Sequence, residues 1–128
     1  MQAGEFCWVE LATLDVAKAK DFYGKIFGWQ FRDIEVDKDM TYTLIKTKDK
    51  EQEFGGIWRI PTERKDQIPP HWMAYILVDN LKATLDQAKQ AGAQVIKDIL
   101  AIGDMGSLAI IQDPVGAHIA LWETKEKK

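Results

Sequence analysis

After a short polar start the chain alternates. In Phe6-Cys-Trp-Val-Glu-Leu11 every second residue falls on one side, Phe6, Trp8 and Glu10 against Cys7, Val9 and Leu11, which predicts a strand. The period then lengthens. Asp15 offers an N-cap, and Ala19, Phe22, Tyr23 and Ile26 recur at helical spacing, so a helix is expected over 17–27 with Gly28 as its left-handed stop. Shorter alternating runs predict strands near 29–34, 42–47 and 54–60. The stretch Pro61–Pro70, polar and bounded by prolines, reads as a linker. The same order follows again: a strand over 73–78, a helix over 80–90 ending before Gly92, and strands at 94–99, 107–111 and 117–122.

Identities support the repeat. A shift of 64 places matches Trp8 to Trp72, Asp15 to Asp79, Lys18-Ala19 to Lys82-Ala83, Lys25 to Lys89, Gly28 to Gly92 and Gln30 to Gln94. One more residue of shift pairs Asp33-Ile34 with Asp98-Ile99 and Asp39-Met40 with Asp104-Met105. The expected organisation is one domain over 1–128, with unit one at about 5–60, the linker at 61–70 and unit two at about 71–124. Each unit is βαβββ, so the class is α+β. One helix covers one sheet face, and two such sheets can curl into a cup-like mixed sheet with the helices outside. Residues alternating away from the helices would then line a cavity.

Composition narrows the classes. At 128 residues the chain can bury a core, and a net charge of −3 offers no footprint for nucleic acid and disfavours an anionic membrane surface. Its one charge run, Lys125–Lys128, is a solvated tail. The single cysteine, Cys7, excludes an intrachain disulfide and fits a reducing, cytoplasmic setting; its apolar neighbours point to an inert thiol. There is no signal-peptide pattern and no apolar run near the ~20 residues that span a bilayer.

Four motifs, Trp8-Val-Glu-Leu-Ala-Thr-Leu-Asp15, Asp21-Phe-Tyr-Gly-Lys-Ile-Phe-Gly-Trp29, Tyr75-Ile-Leu-Val-Asp-Asn80 and Asp113-Pro-Val-Gly116, resemble the vicinal oxygen chelate superfamily. That group includes glyoxalase I, bleomycin resistance proteins and extradiol dioxygenases, and the resemblance runs from about Phe6 to Glu123. The motif residues themselves read as structural: Phe22, Tyr23 and Phe27 as core contacts, and Asp113-Pro-Val-Gly116 as a turn.

The resemblance implies four metal ligands, from the first and last strand of each unit, chosen among His, Glu and Gln. The first would lie seven residues before Asp15, at Trp8; its second-unit equivalent falls at Trp72 or Met73. The last lies seven after Asp113, at Ala120, and the remaining one within Ile57–Ile60. None of these is a suitable ligand, so no metal and no cofactor are expected, with a divalent ion possible but disfavoured. A rearranged site from Glu10, His71 and His118 is the variant that would restore one.

Strand parity places Trp8, Glu10, His118 and Trp122 toward the interior, joined by either Trp72, Ala74 and Ile76 or Met73, Tyr75 and Leu77. The expected ligand-binding residues are Trp8, Glu10, Trp72, Tyr75, His118 and Trp122, with Glu10 the candidate catalytic residue. An acid in an apolar strand costs free energy unless it is hydrogen-bonded or solvated, and burial favours its neutral form; Tyr75 and His118 are its expected partners. The leading functional expectation is a metal-free protein of the bleomycin-resistance type that binds a small aromatic or apolar molecule. The alternatives are a glyoxalase-related lyase or isomerase with Glu10 as general base, a metal-dependent glyoxalase or dioxygenase, and an interaction module. The resemblance also implies a homodimer, with the cup closed within one chain or between two.

Overall fold

The computed structural model describes residues 1–37 and 40–125. Asp39 of the matched Asp-Met pair and most of the charged tail lie outside these residues. The described elements are β1 (Phe6–Thr13), α1 (Val16–Phe27), β2 (Gln30–Asp37), β3 (Met40–Lys46), β4 (Gly55–Arg59), a 3-10 turn at Thr62–Arg64, β5 (His71–Leu77), α2 (Leu81–Gln90), β6 (Gln94–Ile102), β7 (Gly106–Gln112) and β8 (His118–Thr124). The predicted βαβββ order is present twice, and the class is α+β. Among the described residues no helix is long and apolar enough to cross a membrane.

The chain divides into two compact units, Trp8–Trp72 and Met1–Cys7 with Met73–Lys128. These bounds differ from those expected at two places. The linker belongs with the first unit, and the first seven residues belong with the second. There the Gly4 amide donates to the Leu77 carbonyl at 2.8 Å and the Leu77 amide to the Glu5 carbonyl at 2.9 Å.

In the first unit the strand order is β2-β3-β4-β1, with β1 parallel to β4 and the other pairs antiparallel. Leu11, Ile45 and Ile57 form the core under α1, with Val16, Ala19, Tyr23, Trp29, Phe31 and Phe54 packed against them. Asp15 caps the helix by accepting the Lys18 amide at 3.0 Å, and Gly28 ends it at φ 73°. An aromatic helix face was expected to be core, yet α1 has no buried residue, and Phe22 and Phe27 are 54% and 58% exposed. Tyr23 alone of the three packs against the core.

The second unit has the order β5-β8-β7-β6, with β5 parallel to β8. Leu81 and Leu85 of α2 are buried with Ala109 and Leu121. Asn80 accepts the Ala83 amide at 3.0 Å, and the Glu123 carboxylate accepts the Leu81 amide at 2.7 Å, so two of the orphan donors at the start of α2 are satisfied.

The caps correct the repeat. Asp15 and Asn80 share one backbone conformation, φ −139° in both, and lie 65 places apart, whereas the identities favoured 64 through this region. Register agrees: Leu11 pairs with Ile57 as Ile76 pairs with Leu121. β2 and β6 start 64 apart, at Gln30 and Gln94: α2 is 10 residues long against 12 for α1, and the loop 91–93 is one longer than 28–29. Gly56 and Ala120 keep this offset, while β3 and β7 correspond at 66. Trp8 therefore corresponds to Met73, and Glu10 to Tyr75.

Candidate functional site

Because Leu11 and Ile57 face α1, their neighbours in the alternation face away from it. That opposite face carries Trp8 and Glu10 on β1 and Gly56 on β4, with Gly56 in register with both Glu10 and Leu44. Tyr42 lies two residues before Leu44 on β3 and shares its face. From there the side chain crosses β4 to reach β1. The Tyr42 hydroxyl donates to Glu10 Oε2 at 2.7 Å, and Trp8 Nε1 donates to the Tyr42 oxygen at 3.0 Å. The crossing needs a glycine: a Cβ built on Gly56 would run into the Tyr42 ring and hydroxyl.

The direction of this chain follows from its chemistry. An indole nitrogen only donates, so the Tyr42 oxygen accepts from Trp8 and sends its own proton to the carboxylate. The 2.7 Å separation is in the range of a charge-assisted O–H to carboxylate bond. All three residues are half-buried. Two were predicted from strand parity, but Tyr42 was not, because a tyrosine in an alternating strand carries no sign that it will reach over a neighbour. The Gly55-Gly56 pair was the available signal, since glycine within a strand marks a close approach.

The remaining predicted residues are placed as follows. Tyr75 is buried and in register with Ala120, while the next pair, Ile76 and Leu121, turns to α2. His118, Ala120 and Trp122 thus share the face away from α2, with His118 exposed and Trp122 half-buried beside Gly106. Trp72 departs from expectation. It alternates with Tyr75 along β5, so the two cannot point to one side of the strand. Its indole donates to the Tyr23 hydroxyl at 3.2 Å and stands edge-on to Tyr23 and Trp29, on the α1 side of the first unit. Of the two parities left open, Met73, Tyr75 and Leu77 are the set opposite α2.

The positions implied for metal ligands can now be fixed. Register gives Gly56 as the counterpart of Ala120, one residue before the range expected, so the four are Trp8, Gly56, Met73 and Ala120. Glycine and alanine bring no donor atom, the Trp8 nitrogen only donates, and the Met73 thioether is soft. This set does not fit a borderline or hard divalent ion. Of the alternative ligands, Glu10 accepts the Tyr42 hydroxyl at 2.7 Å, and His71 Nδ1 lies 2.7 Å from the Pro69 carbonyl. Cys7 is half-buried, and burial pushes its thiol pKa up, which keeps it protonated and unreactive at neutral pH.

Residues 6–121 match the model of the glyoxalase/bleomycin resistance protein/dioxygenase superfamily, and the chain belongs to that superfamily. It is similar to a candidate glyoxylase, CFP32, of Mycobacterium tuberculosis, with 35% identity over 91% of this chain and 44% of that protein. It is also similar to the anthracycline biosynthesis protein DnrV of Streptomyces peucetius, at 28% identity over 93% of this chain and 46% of the relative. The chain thus spans less than half the length of these curated relatives. Among solved structures, methylmalonyl-CoA epimerase from Mycobacterium tuberculosis superposes with a TM-score of 0.65 at 16% identity, covering 94% of this chain and 87% of that one, a likeness of fold.

Proposed function

We propose that this protein binds a small aromatic or apolar organic molecule without a metal ion, in the manner of the bleomycin resistance members of its superfamily. The observation that carries the reading is the Trp8–Tyr42–Glu10 chain laid across Gly56. A linked polar set of this kind costs free energy to desolvate, and such groups typically orient a ligand. The donor-poor quartet Trp8, Gly56, Met73 and Ala120 supports the metal-free part. A cytoplasmic setting belongs to the same reading and rests on the lone, protonated cysteine.

A second reading has one observation in its favour. Glu10 accepts a short hydrogen bond from Tyr42, an arrangement that orients a carboxylate for proton abstraction beside a carbonyl. The protein would then be a glyoxalase-related lyase or isomerase with Glu10 as general base.

A thermal-shift panel of anthracyclines, bleomycin, simple planar aromatics and 2-oxo aldehydes, each with EDTA or with added divalent metal, separates the two. DnrV, named for anthracycline biosynthesis, supports including the first of these. Stabilisation by an unchanged compound in EDTA, lost in Glu10→Gln, is the expected result. Conversion of a 2-oxo aldehyde adduct in EDTA, abolished by Glu10→Gln, would favour the enzyme. Stabilisation or turnover that requires added metal would overturn both.

A further inference from the structure

The hydrogen bonds across Gly56 run one way. Trp8 Nε1 gives its proton to the Tyr42 oxygen at 3.0 Å, and Tyr42 gives its own to Glu10 Oε2 at 2.7 Å. On the reading of this face as a ligand site, we infer that the molecule it takes is a cation. It would be an organic body carrying a protonated amine or amidine, set against the Glu10 carboxylate and the rings of Trp8 and Tyr42.

The count of protons is the first reason. An indole has one N–H, a phenol one O–H, and an ionised carboxylate none. Both protons of the set are used inside it. What these side chains can offer a ligand is therefore lone pairs: a carboxylate has about four acceptor directions, and the Tyr42 bond takes one. An ammonium or amidinium N–H answers them with charge-assisted hydrogen bonds. A carbonyl or an acid would bring lone pairs to lone pairs, and neither proton is left to polarise it.

The rings point the same way. The faces of Trp and Tyr are the negative side of their quadrupoles, so they attract a cation and disfavour an anion. Gly56 fixes the arrangement before any ligand arrives, since the Tyr42 ring lies where a Cβ would stand.

The cations of the same sheet face are engaged elsewhere. Arg32 is in register with Leu44, and Lys46 lies two residues beyond it, so both share the side of Tyr42. Arg32 Nε and Nη2 donate to the two Glu53 oxygens at 3.0 and 2.9 Å. Lys46 Nζ donates to the carbonyls of Thr47 at 3.3 Å and Lys50 at 3.0 Å. Neither is the counter-ion of Glu10. Desolvating a carboxylate is costly, and a positive group brought by the ligand offsets that cost.

Isothermal titration calorimetry at neutral pH with naphthylmethylamine, naphthylmethanol and naphthoate tests this, because the three share a ring system and differ in one group. Salt at about 0.5 M shortens the Debye length to about 4 Å, so the net charge of −3 does not set the order. The amine should bind roughly tenfold or more tighter than the alcohol, the scale of one charge-assisted hydrogen bond, and the naphthoate should bind most weakly. In Glu10→Gln the amine should fall to the level of the alcohol. Should that variant fail to fold, Tyr42→Phe gives a second check. It releases the Trp8 N–H, so the naphthoate should gain on the amine several-fold. An amine that binds no tighter than the alcohol would overturn the cation and leave the ligand site standing, as would an advantage that survives in a folded Glu10→Gln. Binding by none of the three would remove the site and the cation together.

Discussion

The two βαβββ units share a plan and differ at the positions where the plan allows chemistry. In the first, Trp8, Tyr42 and Glu10 are linked by hydrogen bonds over Gly56. The register gives their second-unit counterparts as Met73, Leu108 and Tyr75 around Ala120. The carboxylate, the crossing ring and the glycine beneath it are replaced together. A ring can cross a neighbouring strand only where that strand has no side chain, so the three positions are coupled by geometry. The helices differ in the opposite sense. α2 buries Leu81 and Leu85, while α1 packs Val16, Ala19 and Tyr23 on the core without fully burying any residue and shows Phe22 and Phe27 to solvent. The first unit thus carries both an oriented polar set and an uncovered apolar face, and the second supplies the better-buried core.

The sharpest break in this comparison comes from truncating one side chain on each helix. Leu85→Ala removes a side chain that is 2% exposed, and should cost about 2–5 kcal/mol in chemical denaturation. Phe22→Ala, on a residue 54% exposed, should change the stability of dilute protein by about 0.5 kcal/mol or less. Equal losses would mean that Phe22 makes a core contact its exposure does not show.

Next in size is the glycine. Gly56→Ala puts a methyl group where the Tyr42 ring lies, so the ring must lift and abandon Trp8 and Glu10; a loss of about 1–3 kcal/mol is expected. Tyr42→Phe keeps the ring and deletes both hydrogen bonds, and should cost about 1–2 kcal/mol. If the crossing is the reason for the glycine, the double variant should be no worse in ligand binding than either single one. Additive losses would separate Gly56 from the Tyr42–Glu10 pair.

Much of this was legible in the chain. The shift from period two to helical spacing located α1 and Asp15 marked its start, and the repeat then located α2. Strand parity put Trp8 and Glu10 on the face away from α1. What escaped has physical causes. Identity at an offset of 64 aligned Trp8 with Trp72, but the caps lie 65 apart, and one residue in a strand reverses its face. That slip put Trp72 among the expected site residues. The fourth ligand position missed Gly56 for another reason, since no residue in the last strand of the first unit fixed its register. Helical spacing at Phe22 and Phe27 identified an apolar stripe without saying whether anything covers it. Tyr42 belonged to no motif, because its role depends on two strands that meet it only in the folded sheet.

The smallest expected effect tests the comparison at one buried hydroxyl. Thr43 is 2% exposed and donates to Asp33 Oδ1 at 2.6 Å, and Lys20 reaches the same carboxylate at 3.2 Å. The Thr43 hydroxyl, helped by Lys20, holds the Asp33 pKa below its ordinary value. A carboxylate whose folded pKa is depressed adds stability that is fully present above the unfolded value, about 3.9. It is lost as pH falls through the folded one. The second-unit counterpart of Thr43 is Ala109, in register with Leu121 as Thr43 is with Ile57, so the first unit should carry this acid sensitivity. Thr43→Val removes the largest cause. In a carboxyl NMR titration the Asp33 midpoint should rise toward the ordinary range. The thermal midpoint of Asp33→Asn should also fall less than that of the wild type between pH 5 and the acid limit of folding. An Asp33 midpoint that stays low in Thr43→Val would assign the depression to Lys20, and Lys20→Met would then have to raise it.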